Sequence, residues 1–150
     1  MTTSAPARGG AVLYTPAILA LAVELADHPL ADDFEAHGEA ASRVCGSRVR
    51  IGLHAAPDGR IERIGAQVTA CAIGQAAAAL FLRHARGRDA DAIAAVLAAL
   101  EAWLAGAGDL PDWPDIEALA AARAYPARHA AILLPWKAAL AALSNPPPAG

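Results

Sequence analysis

Cys45 and Cys71 are the two cysteines of the chain, and their thiols are the side chains best suited to chemistry. The residues between them follow the pattern of a β-hairpin, with the turn signal Pro57-Asp58-Gly59 almost midway. Antiparallel pairing across that turn gives partner residues whose numbers add up to roughly 116, which sets Cys45 opposite Ala70 or Cys71. Such a pair could form a soft-metal site, a disulfide or two unreactive thiols.

The length of the chain fits one domain. Its 150 residues are enough to bury a core without metals or disulfides as staples. Residues 1–11 are predicted to be a tail of small residues, and residues 144–150 a proline-rich tail that cannot stay helical. The domain is therefore expected over residues 12–143.

Charge and hydropathy limit the classes of partner. The net charge is −3 and the arginines are scattered along the chain, so no nucleic-acid-binding surface is predicted. The longest stretch without charge, residues 70–82, is shorter than a membrane span, and the N-terminus lacks the pattern of a secretory signal. These features predict a cytoplasmic protein that does not insert in a membrane. In that reducing compartment two neighbouring cysteines are more often thiols than a structural disulfide.

Apolar spacing predicts helices on both sides of the hairpin. Thr15-Pro16 suits the N-cap and first position of a helix that ends before His28, and a second short helix is predicted over residues 31–42. After Cys71 the chain is predicted to be helical. The segments are residues 72–84, 89–104, 114–122 and 126–143.

The hairpin itself is predicted over about residues 48–68. Apolar residues alternate with others from residue 49 to 53 and return from 61 to 68. A phase slip near Gly65 indicates a β-bulge. A small antiparallel sheet packed against several helices is an α+β fold.

Three segments carry a family pattern: Cys45-Gly46-Ser47, Cys71-Ala72-Ile73-Gly74-Gln75-Ala76, and Tyr125-Pro126-Ala127-Arg128 running into Leu134-Pro135-Trp136. They resemble the Cys-Gly-Asp, Cys-Ala-Ile-Ser-x-Ala and Phe-Pro-x-Arg…Leu-Ala-Trp motifs of the U-type iron–sulfur cluster scaffold family, which includes IscU, SufU and the N-terminal domain of NifU. The match runs in order over about residues 13–143, and the long interval before the last helix resembles the SufU branch.

Two of the ligand positions implied by the resemblance are changed in this chain. The family's aspartate is Ser47, and its third cysteine falls on Ala131. A tetrahedral zinc or a [2Fe–2S] cluster requires good donors, largely thiolate or imidazole, and only Cys45 and Cys71 remain in register. His129 precedes Ala131 by two residues, which places it about 200° around a helix. Ser47 and His129 are therefore candidates for weak or supporting ligands only.

Each remaining candidate has a plainer interpretation. Cys71 opens a helix whose positive end favours an anionic sulfur, yet a free cysteine is often a small buried hydrophobe. Arg128 matches a family position, but an arginine in the first turn of an amphipathic helix can simply be solvated.

The resemblance implies an iron–sulfur cluster assembly scaffold-like protein that holds iron, a cluster, zinc or persulfide sulfur through Cys45 and Cys71. It also implies a cysteine desulfurase as partner, and a homodimer could bring the cysteines of two chains together. No phosphate-binding glycine loop and no nucleophile elbow occur, so a scaffold or sulfur acceptor is expected rather than an enzyme. The alternatives are a cluster-free binding module that partners or regulates the assembly machinery, and a two-thiol redox or zinc site.

Overall fold

The structure, a computed structural model, describes residues 13–144 and confirms an α+β fold. The predicted tails lie outside this range, except that Ser144 ends the last helix. Three antiparallel strands form one sheet in the order β1-β2-β3. The strands are β1 (Ala36–Ala41), β2 (Arg48–Ala55) and β3 (Ile61–Thr69). The α-helices are α1 (Pro16–Glu24), α2 (Ala72–His84), α3 (Ala90–Leu104) and α4 (His129–Ser144), with 3-10 segments at Leu25–Asp27, Ile116–Ala124 and Pro126–Arg128.

The prediction of a short helix over residues 31–42 is wrong, because this segment contains strand β1. Exposure alternates along the strand: His37 and Glu39 are exposed, whereas Gly38 is buried. Pairing with β2 overrides the helical preference of the alanines and the glutamate, since strand propensity depends mainly on the neighbouring surface. The predicted hairpin therefore supplies two of the three strands of the sheet.

The register of β2 and β3 is fixed from Arg48, paired with Thr69, to the turn. Val49 pairs with Val68, one residue away from the predicted offset. The predicted bulge near Gly65 is also misplaced, because the register shifts between His54 and Ala55, close to the turn. A bulge there leaves the ladder regular at its other end, where the two cysteine-bearing segments begin.

Helix α4 packs across the inner face of β1 and β2. It approaches β1 at Gly38, where a Cβ atom would overlap the backbone of Ala138 and Ala142. Small residues on both elements allow this approach, since Ala138, Ala139 and Ala142 are fully buried. The close contact sets the position of α4, and therefore of its first turn, relative to the sheet.

An aromatic cluster of Phe81, Trp113 and Trp136 joins α4 to α2. Trp136 and Phe81 are fully buried, and their ring centroids lie 5.1 Å apart in an edge-to-face arrangement. Trp113 stacks on Phe81 at 5.2 Å, and its Nε1 donates to the carbonyl oxygen of Leu80 at 3.2 Å. Edge-to-face and offset contacts of this kind add to the hydrophobic contribution of burying the rings.

The helix predicted over 114–122 is a 3-10 helix, Ile116–Ala124, and the helix predicted over 126–143 begins with a separate 3-10 turn before α4. Asp115, just before the first of these segments, has the left-handed φ of 67°. Arg83 and His84 hold its carboxylate with bonds of 3.1 and 2.9 Å. A 3-10 helix spans more length per residue than an α-helix. This suits a connection that is fixed at its start by Asp115 and near its end by Arg123, whose Nε donates to the carbonyl oxygen of Trp103 at 2.9 Å.

No helix within residues 13–144 is both long enough and apolar enough to cross a membrane.

We predict that Gly38→Ala destabilises the fold by about 3 kcal/mol, because the new methyl group would force α4 away from β1. The control is Gly106→Ala, which meets no neighbouring atom but places alanine at a φ of 87°, and should cost about 1 kcal/mol. Urea denaturation at neutral pH measures both free energies of unfolding. A smaller loss for Gly38→Ala than for Gly106→Ala would contradict the direct docking of α4 on β1.

Candidate functional site

Cys45 lies at the tip of the turn that joins β1 to β2. The turn closes with two backbone hydrogen bonds of 2.9 Å, from the Ser42 amide to the Ser47 carbonyl and from the Gly46 amide to the Ser42 carbonyl. Gly46 takes a φ of 72°, which a residue with a side chain rarely adopts. This glycine lets the chain reverse directly after Cys45 and leaves the cysteine exposed to solvent.

Ser47 forms a side-chain hydrogen bond with the thiol of Cys45. Its side chain is only 4% exposed, and its Oγ lies 3.1 Å from Cys45 Sγ. The hydrogen bond with the Ser47 hydroxyl lowers the pKa of the Cys45 thiol; burial raises that pKa, and a second bond with the Ser42 hydroxyl lowers it again. Since a hydroxyl hydrogen bond stabilises the thiolate, the exposed thiol of Cys45 ionises more readily than an ordinary cysteine thiol.

Cys71 lies between β3 and α2, at the N-cap position of the helix. It has an extended backbone (φ −67°, ψ 171°), and its side chain makes no capping hydrogen bond. Its carbonyl oxygen accepts from the Gln75 amide at 2.9 Å, and the Gln75 side chain donates to the Ala70 carbonyl at 2.9 Å. The backbone is therefore fixed by other groups, while the half-buried thiol of Cys71 is left for chemistry.

The two cysteines line one cavity of about 240 Å³ at the open end of the sheet. Pairing of Arg48 with Thr69 brings the turn before β2 next to the end of β3. The two thiols are not a disulfide. The residues that line the cavity are Cys45, Gly46, Ser47, Thr69, Ala70, Cys71 and Arg128.

Arg128 brings a positive charge to this cavity from the turn before α4. The local sequence fits a solvated arginine equally well, and only the match of Arg128 to the family motif indicates a place near the cysteines. A guanidinium beside two thiols stabilises anionic sulfur, whether thiolate, persulfide or hydrosulfide.

Ala131 and His129, two positions considered for ligands, do not line the cavity. Ala131 is 1% exposed, and its Cβ lies 3.3 Å from where a Cβ of Gly74 would be, in the first turn of α2 after Cys71. His129 lines another pocket, where its Nε2 lies 3.2 and 3.1 Å from the carbonyl oxygens of Ala122 and Arg123. At the position of the family's third cysteine, this chain therefore has the buried methyl group of Ala131.

Within residues 13–144, no three histidine, cysteine, aspartate or glutamate side chains converge to hold a metal ion. Among its lining residues the cavity has two thiols and two hydroxyl groups, those of Ser47 and Thr69. A cluster or a structural zinc ion ordinarily needs more soft donors than one chain supplies here.

We predict that Ser47→Ala slows alkylation of Cys45 several-fold at neutral pH. Loss of the hydroxyl hydrogen bond raises the pKa of the Cys45 thiol, so a smaller fraction is thiolate below that pKa, and the gain in intrinsic nucleophilicity compensates only in part. The rate of reaction with iodoacetamide between pH 5 and about 10 measures the effect in a Cys71→Ala background. Ser42→Ala, which removes the second hydroxyl bond, is the control and should shift the profile less. An unchanged profile for Ser47→Ala would contradict the role of Ser47.

Solved structures resemble this chain over most of its length, although no protein-family model matches its sequence and no curated protein sequence matches it. The N-terminal part of a nitrogen-fixing NifU-like protein from Brucella abortus superposes with a TM-score of 0.82 and 28% sequence identity, covering 91% of this chain and 95% of that chain. A proposed iron–sulfur cluster assembly scaffold for the SUF system of Fervidobacterium islandicum AW-1 gives a TM-score of 0.77 and 20% identity, covering 87% and 96% of the two chains.

A hypothetical protein of known structure shares the fold less closely, with a TM-score of 0.59 and 20% identity over 84% of this chain and 98% of that chain. The identity with the NifU-like protein extends over nearly the whole chain, and the motifs around Cys45, Cys71 and Arg128 occur in the order of the family. In fold and in the order of these motifs, the chain resembles the U-type iron–sulfur cluster scaffold family.

Proposed function

We propose that this protein holds persulfide sulfur for iron–sulfur cluster assembly, with Cys45 as the acceptor. The scaffold fold supports a role in assembly. The observation that carries the proposal is the shared cavity, in which an exposed cysteine with a lowered thiol pKa meets a second thiol and an arginine. Accepting a sulfur atom requires one accessible thiolate, whereas ligating a cluster requires several.

The changed ligand positions favour sulfur over metal as the cargo of a single chain. Ser47 is a buried hydroxyl that already bonds to Cys45, and Ala131 is packed against α2. Iron, zinc or a [2Fe–2S] cluster would need further donors. Two copies of the chain, each with two cysteines, would supply four thiolates, so cluster binding here implies a homodimer.

The proposed sulfur donor is a cysteine desulfurase, the partner that the family resemblance implies. Such an enzyme presents a persulfide on its own cysteine, and the exposed Cys45 turn can approach it. Val44, the residue before Cys45, is 81% exposed and presents an apolar side chain beside it. The Cys45 thiolate attacks the terminal sulfur of the donor persulfide, so that a persulfide forms on Cys45 and the donor leaves as a thiolate.

We predict that a cysteine desulfurase supplied with cysteine adds one sulfur atom to Cys45 of the Cys71→Ser variant, in which no second thiol can remove it. Anaerobic incubation followed by peptide mass spectrometry, with persulfides trapped by alkylation, measures the transfer. Cys45→Ala should accept no sulfur, because the remaining thiol of Cys71 is half-buried. Arg128→Gln, made in the Cys71→Ser background, should accept sulfur more slowly, since the charge beside the cavity is lost. Equal labelling of Cys71→Ser and Cys45→Ala would contradict the proposal.

A second candidate is a cluster-free binding module that partners or regulates the assembly machinery. The buried methyl group of Ala131 favours it, because a scaffold that has lost a ligand position can retain only its docking surface. The two candidates separate in a pull-down with the desulfurase. Capture that persists in a Cys45→Ala, Cys71→Ala double variant, together with no sulfur transfer to the Cys71→Ser variant, would support the module.

A further inference from the structure

We propose that Cys71 resolves the persulfide on Cys45, releasing hydrosulfide and leaving a disulfide between Cys45 and Cys71. This inference rests on the proposed function, since it begins with sulfur already on Cys45. It assigns to Cys71 a part distinct from that of a metal ligand. The protein would then deliver reduced sulfur and not only carry it.

The placement of the two thiols supports this step. The pairing of Arg48 with Thr69 brings the Cys45 turn beside the segment that leads into Cys71, and both residues line the same cavity of about 240 Å³. Both are free thiols, and the Cys71 side chain is not used to cap α2. A nucleophile is therefore present where the persulfide would form.

The two cysteines are placed for different tasks. Cys45 is exposed at a turn tip, where an external donor can reach it, whereas Cys71 is half-buried at the start of a helix. A donor persulfide therefore meets Cys45 first. Cys71 is shielded from large donors but opens into the cavity that holds the persulfide. This order of access is the one that an accepting and a resolving cysteine require.

The chemistry balances without a further oxidant. The Cys71 thiolate attacks Sγ of Cys45, so that the bond between the two Sγ atoms forms and the bond from Cys45 Sγ to the added sulfur breaks. The added sulfur takes the electron pair of the broken bond and leaves as hydrosulfide with the proton of the persulfide. That sulfur is reduced and the two cysteine thiols are oxidised to a disulfide. A dithiol reductant then restores both thiols for the next cycle.

Arg128 lines the cavity in which the negative charge moves. The charge passes from the Cys71 thiolate to the departing hydrosulfide, and the guanidinium keeps its charge throughout. Ser47 Oγ, 3.1 Å from Cys45 Sγ, holds the attacked sulfur in place. Attack on the outer sulfur would only move the persulfide to Cys71 and release nothing, so the two outcomes differ in measurable products.

The test uses the full chain, reduced and held without oxygen, with glutathione persulfide as the sulfur donor. After rapid removal of excess donor, intact mass, nonreducing peptide mapping and trapped hydrosulfide are measured together. The wild type should lose two hydrogens, show a Cys45–Cys71 crosslink, and release nearly one hydrosulfide per chain. Cys71→Ser should keep the added sulfur on Cys45 and release about tenfold less hydrosulfide. Cys45→Ser, as the control, should neither keep an added sulfur atom nor release hydrosulfide.

The outcomes separate this inference from the proposed function. A wild type that keeps its added sulfur, on either cysteine, and releases no more hydrosulfide than Cys71→Ser overturns the inference and leaves sulfur acceptance standing. Failure of Cys45 to gain sulfur in both the wild type and Cys71→Ser overturns the proposed function as well. A parallel sample without donor shows whether the crosslink needs the persulfide, and a crosslink that forms equally in that sample counts against the inference. Circular dichroism confirms that each variant is folded.

Discussion

Backbone pairing between Arg48 and Thr69 is the constraint on which the site depends. It ends the β2–β3 ladder, and each strand continues from that point into a segment that carries a cysteine. Because the two segments leave the sheet at the same end of the paired strands, the turn with Cys45 and the start of α2 with Cys71 border one cavity. Docking of α4 against Gly38 then positions the preceding turn, so that Arg128 closes the cavity from the third side.

We propose sulfur chemistry rather than metal ligation for this site because of the donors that it retains. Where the family pattern has a carboxylate, this chain has the buried hydroxyl of Ser47, which bonds to the neighbouring sulfur. Where it has a third cysteine, Ala131 is packed against Gly74 of α2. Both substitutions remove donors but preserve packing, and the fold of the NifU-like structure is retained over 91% of the chain. What remains is a pair of thiols with unequal exposure beside one positive charge.

Sequence patterns predicted the parts of this fold in which periodicity and packing agree. The alternation of Val49, Ile51 and Leu53 and the apolar stripes of α2 and α3 reflect burial on one face, so these elements lie close to where they were expected. Strand β1 was missed because its alanines and glutamate favour a helix in isolation. Only the pairing with β2 and the contact at Gly38, both distant in sequence, make it a strand.

The same distinction holds within the site. The proximity of Cys45 and Cys71 followed from hairpin geometry, although β2 and β3 pair one residue away from the predicted offset. The bulge was misplaced because its position depends on how the turn closes at Ala55 and Ile61. The place of Arg128 in the cavity depends on the docking of α4, a long-range contact that no local pattern encodes; only the family motif pointed to it.

Binding of a trivalent arsenical, which bridges two thiolates at one arsenic atom, tests most directly whether both sulfurs reach the same point. Phenylarsine oxide added to the reduced chain should form a one-to-one adduct that blocks Cys45 and Cys71, resists an excess of monothiol and is released by a dithiol. The Cys45→Ala and Cys71→Ala variants should form only adducts that a monothiol removes. A wild-type adduct as labile as those of the single variants would show that the two sulfurs do not share a site, and the account would be contradicted.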